Sequence, residues 1–226
     1  MDGLIPASGA ASRMRGIPKF LLPCDDEYLT LLERHVLNML KYCRMIWIPT
    51  RPDLTILIES LGITSERVVV IPMVTKSMTE TILKVAAISS ADEFMLCMPD
   101  TYFEGELPYE NLGTLSGDLK LACWKIRAEQ KGKLGQILFE TSSGNSKIID
   151  SRDKDPNCRF DHSWGAMSFR RELLELGNPE MPHTGYLIKP AIEKGLLVGG
   201  FVLQGSYFDC GTPKEYIQML RKVTNE

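Results

Sequence analysis

Two hydrophobic periods alternate along the first hundred residues of this chain. Short apolar runs at 3–7, 45–48, 68–71 and 94–98 predict buried strands. Between them, apolar positions recur every three to four residues. The stretch 30–42 places Leu31, Leu32, Val36, Leu37 and Leu40 on one helical face, and His35 falls inside this helix. A second helix is predicted over 54–61, stopped by Gly62, and a third over 79–88, with Ile82, Leu83, Val85 and Ala86 apolar.

This β-α-β-α-β-α-β series with short connections predicts an α/β fold: a mostly parallel, mixed central sheet of Rossmann-like type with helices on both faces. Right-handed crossovers bring the C-terminal ends of the strands to one edge, where ligands bind in such sheets. The second half is less regular. Strands are predicted over 119–126, 135–140, 166–169 and 197–203, with a turn at Ser142-Ser143-Gly144-Asn145 whose hairpin returns through 147–149. A helix over 187–193 ends at Gly195, and a closing helix covers 215–223. No linker or repeat divides the chain, so residues 1–226 read as one domain.

Candidate chemistry lies at the predicted strand ends. Leu4-Ile5-Pro6-Ala7 leads into Ser8-Gly9-Ala10-Ala11-Ser12-Arg13-Met14, with Pro18-Lys19 close behind. Small residues let backbone N–H groups approach an anion, and the arginine and lysine can reach the same anion. A triphosphate is the simplest ligand; a tight strand-to-helix turn accounts for the small residues equally well. The segment is neither G-x-x-x-x-G-K-[ST] nor G-x-G-x-x-G. Asp100 ends the fourth strand, as a Mg²⁺ ligand or as a turn cap. Asp209 follows another apolar run and precedes Gly211-Thr212-Pro213, where Thr212, Pro213 and Glu215 fit a capping box. Lys154 sits in the charged segment 150–155, which suits a solvated loop as well as an anion contact.

Bulk properties narrow the class. The 226 residues are 44% hydrophobic and 24% charged, with a formal net charge of −3 and no basic stripe, so nucleic acid is not an expected partner. No run approaches a membrane span, no signal peptide is visible, and no membrane partner is expected. The six cysteines are scattered without C-x-x-C spacing, which reads as buried free thiols in a reducing cytoplasm. His35, His162 and His183 have no metal-ligand spacing.

Taken in order, five segments resemble the sugar-1-phosphate nucleotidylyltransferase family: 7–14 with Pro18-Lys19-Phe20-Leu21-Leu22-Pro23; Met98-Pro99-Asp100-Thr101-Tyr102-Phe103; Lys154 with Pro156; Gly165-Ala166-Met167-Ser168-Phe169; and 208–216. They span nearly the whole chain. The chain departs from the family pattern at Ala11, where a second glycine is usual, at Pro99, at Asp153 in place of Glu, and at the large Trp164 before Gly165.

The resemblance implies that an NTP and a phosphorylated acceptor, a sugar-1-phosphate, are joined with release of pyrophosphate, with Mg²⁺ as cofactor. It assigns Arg13, Lys19, Asp100, Lys154 and Asp209 to catalysis, and Asp100 and Asp209 to the metal. It assigns Ala7, Ser8, Gly9, Ala10, Ala11, Ser12, Arg13, Lys19 and Thr79 to the nucleotide. Lys154, Asp161, His162, Trp164 and Gly165 fall to the acceptor. Residues 1–104 would serve mainly the nucleotide, and 105–226 the acceptor side and closing motif, in a monomer or homo-oligomer. A cytidylyltransferase for a non-sugar acceptor and a non-catalytic nucleotide-sugar binder remain alternatives. So does a metal-dependent glycosyltransferase, although the D-x-D of such enzymes is absent at Asp100-Thr101-Tyr102.

Overall fold

A computed structural model of the chain describes residues 1–9, 12–25, 29–140 and 147–224. Ala10, Ala11 and the turn expected at Ser142 to Asn145 lie outside the described residues. The central sheet has the order β10-β6-β9-β4-β1-β2-β3, built from β1 (Asp2–Leu4), β2 (Ile46–Thr50), β3 (Val68–Pro72), β4 (Glu93–Cys97), β6 (Leu119–Lys125), β9 (His162–Arg170) and β10 (Val198–Val202). Within that path β9 alone runs antiparallel to its neighbours β4 and β6. The hairpin of β7 (Gly135–Phe139) and β8 (Ile148–Asp153) joins through β7 to β9. The expected α/β architecture is therefore the one observed.

Apolar layers on both faces of the sheet hold it. One contains Leu32, Val36 and Met39 of α1 (Leu31–Met39) with Leu54 and Ile58 of α2 (Pro52–Glu59). The other contains Ile82 and Val85 of α3 (Met78–Ile88) with Ile188 and Ala191 of α5 (Ile188–Glu193). Local chemistry sets the helix starts. Thr30 and Glu33 exchange a reciprocal capping box at α1, at 3.2 and 2.8 Å. The Ser77 hydroxyl accepts from Glu80 N at 3.0 Å to open α3. Leu37, expected on the buried face of α1, is 50% exposed. His35 takes a place in the core instead, its two ring nitrogens bonded to Tyr109 Oη at 2.8 Å and Thr101 O at 2.9 Å.

Three elements were not foreseen: β5 (Thr101–Gly105), α4 (Tyr109–Thr114) and β11 (Gly205–Asp209). The strands β5 and β11 form a separate antiparallel pair. Asp209 therefore does not leave the main sheet's edge, as its sequence position suggests. After β10 the chain turns back through Leu203 and Gln204 to lie along β5. Gly105 and Gly205 face each other where that pair begins, at φ +83° and +110°, a region that side chains disfavour. The closing helix α6 (Pro213–Val223) starts at Thr212 as expected, but the return bond differs. The Thr212 hydroxyl itself donates to Glu215 Oε2 at 2.8 Å while accepting from Glu215 N at 3.3 Å. All six cysteines are free and buried.

Candidate active site

The predicted juxtaposition of the first loop with Asp100 is present. The chain after β1 stays extended beside β2, with Ile5 N on Trp47 O at 3.0 Å and Ala7 N on Pro49 O at 2.8 Å. It delivers Ala7, Ser8 and Gly9 to a cavity of about 630 Å³, also lined by Arg13, Lys19 and Asp100. Arg51, residues 75–78 and Pro182 contribute further walls. Lys19 forms an ion pair with Asp100, and both side chains are about 15% exposed. The backbone of Ser12 and Arg13 forms a short 3-10 turn. Arg51, at the start of α2, went unnoticed in the sequence; its guanidinium is tied to Asp53 at 2.9 Å and donates to Gly9 O at 3.3 Å. Its position just before Pro52, where a helix opens at a strand's C-terminal end, was the available signal.

The β5–β11 ladder brings the two aspartates together. Asp209 pairs with Thr101, the residue after Asp100, and Cys210 N donates to Asp100 O at 2.9 Å. Arg13 joins them over Gly211. A Cβ on that glycine would lie 3.0 Å from Asp209 Oδ1 and 3.1–3.2 Å from the Arg13 guanidinium nitrogens. Burial, and then the charge of Asp100, pushes the Asp209 carboxyl up to about 6, while Lys19 and Arg13 oppose the shift. Two carboxylates crowded at one mouth, one of them raised in this way, fit a divalent cation, which relieves both desolvation and mutual repulsion. Among the described residues no three His, Cys, Asp or Glu side chains cluster as a metal set. The pair would leave the rest of an octahedral shell to phosphate and water.

A smaller cleft of about 190 Å³ lies on the far side of this pair, lined by Asp100, Asp209, Arg13, Lys154 and Trp164. Lys154 stands just beyond β8 at φ +51°, with its N–H on Leu134 O at 3.2 Å, which turns it out of the hairpin. Asp153, noted in the sequence only as standing in place of Glu, shares this cleft with Lys133, His183 and Tyr207, to which the sequence reading gave no role. Their signals were faint, since they come from four separate segments: the turn before β7, the end of β8, the 181–186 segment and β11.

Four expected residues stand elsewhere. Thr79 is fully buried inside α3 and does not line either cavity; residues 75–78 before it do. Asp161 and His162 pair with each other at 2.8 Å, and His162 meets Phe139 edge-on. Neither lines the cleft. Gly165 is small for a reason other than approach of a ligand. It occupies a β-bulge between the pairs Ala122–Ala166 and Cys123–Trp164, and a Cβ there would overlap the Tyr207 ring.

No protein-family model matches the chain, and no curated protein matches it. Solved structures do. A UDP-glucose pyrophosphorylase complexed with UDP-glucose superposes at a TM-score of 0.81 with 17% identity, covering 99% of this chain and 98% of that one. A Bacillus anthracis protein assigned as a glucose-1-phosphate thymidylyltransferase gives 0.80 at 17% identity, over 100% and 96%. The inositol-1-phosphate CTP transferase from T. maritima gives 0.77 at 14% identity, over 99% and 96%. This chain has the fold of these nucleotidyltransferases over its whole length.

Proposed function

We propose that this protein is a Mg²⁺-dependent sugar-1-phosphate nucleotidylyltransferase. The observation that carries the reading is the convergence of Arg13, Lys19, Asp100, Asp209 and Lys154 on two adjoining cavities that share Arg13 and Asp100, with Asp209 and Lys154 on the smaller one. The fold shared with UDP-glucose pyrophosphorylase and its relatives supports the same assignment.

In this reading the NTP lies in the larger cavity, its phosphates against the backbone of Ser8 and Gly9 and the cations Arg13 and Lys19. The acceptor phosphate lies in the smaller cleft, held by Lys154. An acceptor phosphate oxygen attacks the α-phosphorus; the new O–P bond forms as the bond to the β-phosphate breaks, and its electron pair leaves with pyrophosphate. Two polyanions must meet, so positioning and charge neutralisation carry the catalysis. Asp100 and Asp209 would hold a Mg²⁺ ion, which would supply Lewis-acid neutralisation of the phosphate charge. Arg13 steadies the charge on the leaving pyrophosphate, and Lys19, which pairs with Asp100, holds the triphosphate. No helix among the described residues is long and apolar enough to cross a membrane.

The test is a matrix of four NTPs against sugar-1-phosphates and polyol phosphates, read by pyrophosphate release with and without Mg²⁺. Release that needs both substrates and the metal is expected. Release from an NTP alone, or from no pair, contradicts the reading.

A further inference from the structure

Asp209 and the residue after Asp100 are carried on a strand pair that has no third strand. The β5–β11 ladder is separate from the central sheet, and an isolated two-stranded pair is marginal in water. Cys210 N donates to Asp100 O at 2.9 Å, one residue beyond the Asp209–Thr101 pair. In an antiparallel ladder that bond leaves the backbone groups of Asp209 and Thr101 pointing outward, and the alternation does the same for Tyr207 and Phe103. Thr101 and Tyr207 are buried, so their outward carbonyls need partners from elsewhere in the chain.

Each finds one in a buried side chain. From α1, His35 Nε2 donates to Thr101 O at 2.9 Å. A carbonyl only accepts, so this bond places the proton on Nε2. Burial keeps the ring neutral, and the Tyr109 hydroxyl donates to Nδ1 at 2.8 Å. On the other strand, Gln130 Nε2 donates to Tyr207 O at 2.8 Å. The Gln130 amide oxygen accepts from Arg127 N at 3.1 Å, which orients the donor. The ribbon is thus held along both edges, on β5 one residue past Asp100 and on β11 two residues before Asp209. Thr101, Phe103, Tyr207 and Asp209 share one face by the alternation of the strands, and Phe103 stacks on Trp124 at 5.0 Å. A slip of one residue in β11 would turn Asp209 to the opposite face. The two edge bonds oppose that slip and set the separation of the strands' ends.

We propose that His35 and Gln130 are positioning residues for the two carboxylates: they hold β5 and β11 so that Asp100 and Asp209 meet on one divalent cation. The inference rests on the nucleotidyl-transfer reading above.

The test reads metal binding directly, by electron paramagnetic resonance titration of the free full-length protein with Mn²⁺, beside the Mg²⁺ dependence of pyrophosphate release. His35→Asn keeps an acceptor for Tyr109 but is too short to reach Thr101. His35→Gln carries its amide N–H where Nε2 stood. Gln130→Met keeps the bulk and loses the donor. His35→Asn and Gln130→Met should each raise the Mn²⁺ Kd and the half-activating Mg²⁺ concentration about tenfold or more, the usual cost of removing a group that orients a metal ligand. The NTP KM at saturating Mg²⁺ should change less than about threefold, and His35→Gln should keep metal constants close to those of the wild type. Val198→Ala, which opens a cavity in the apolar layer on the α3 and α5 side of the sheet, should lower the melting temperature and leave the metal constants unchanged. An unchanged Mn²⁺ Kd in whichever of His35→Asn and Gln130→Met melts cooperatively overturns the inference and leaves nucleotidyl transfer standing. So do metal constants that merely follow melting temperature across the variants, and so does failure of both edge variants to fold, since the bonds then serve the fold alone. A wild type that binds no Mn²⁺ overturns the inference; one that also releases no pyrophosphate overturns both readings.

Discussion

The two cavities that meet at Arg13 and Asp100 are built differently. The larger cavity, proposed for the nucleotide, is assembled from the C-terminal ends of parallel strands, with its chemistry concentrated in one run of sequence, 7–19, plus Asp100. The smaller cleft, proposed for the acceptor, draws on the β7–β8 hairpin, β9, His183 and the separate β5–β11 pair. The first depends on backbone at a regular sheet edge. The second depends on close packing of large rings against glycines at 135, 165 and 185. Charge differs as well: Asp100 is matched by Lys19, whereas Asp209 is buried with its carboxyl raised.

That charge contrast predicts the largest effect. Asp209→Asn should lower turnover on the order of 10³-fold, the several kcal/mol that a metal supplies to a phosphoryl transition state. The same change should raise the melting temperature, because it removes a desolvated charge. Pyrophosphate release and thermal melting on the same preparation check both halves. A melting temperature that falls would make Asp209 a structural residue.

A slightly smaller effect comes from the floor beneath the carboxylates. Burial holds His35 neutral, its pKa lowered to about 4. The unfolded chain takes up a proton near 6.5 and the folded chain does not. Stability is therefore full above about pH 6.5 and declines as pH falls toward 4, by roughly 3 kcal/mol. Urea unfolding across that window measures it, and His35→Gln should flatten the slope.

Next is the division of labour. Lys154→Ala should raise the acceptor KM or lower kcat about 10²-fold with NTP affinity intact, and Arg13→Ala should weaken the NTP side instead. Titration of each variant with a non-hydrolysable NTP separates the two. Equal loss of NTP binding in both would erase the distinction between the cavities. The smallest effect tests packing on the acceptor side. Gly165→Ala should cost about 2 kcal/mol by chemical denaturation, since its Cβ has no space beside Tyr207 and Trp124. A neutral result would return Gly165 to the role of an open approach for the ligand.

Legibility from sequence follows the same divide. The first four strands and three helices could be read because burial on a parallel sheet writes plain apolar runs between amphipathic stretches. Topology alone places the small-residue loop after the first strand at the same sheet edge as Asp100. The β5 and β11 strands were not readable, since Thr101 to Gly105 follows Asp100 with no turn signal and the 205–209 strand lies only three residues beyond β10. Their pairing is what sets Asp209 beside Asp100. Thr79 is buried in the first turn of α3, and its immediate predecessors 75–78 line the cavity instead. Trp164 could be singled out, but the clamp that fixes it is contributed by glycines 29 residues before it and 21 after, a long-range fit that no local pattern records.

The central claim is that one metal-bridged carboxylate pair joins the two cavities. A structure with Mg²⁺ and an NDP-sugar product tests it most directly. The account predicts Mg²⁺ within about 2.1 Å of a carboxylate oxygen from each of Asp100 and Asp209. The nucleotide should lie along residues 7–13 and the sugar against Trp164, with Lys154 on the phosphate nearer the sugar. A diphosphate bound away from both aspartates, or a metal held by one of them only, would contradict it.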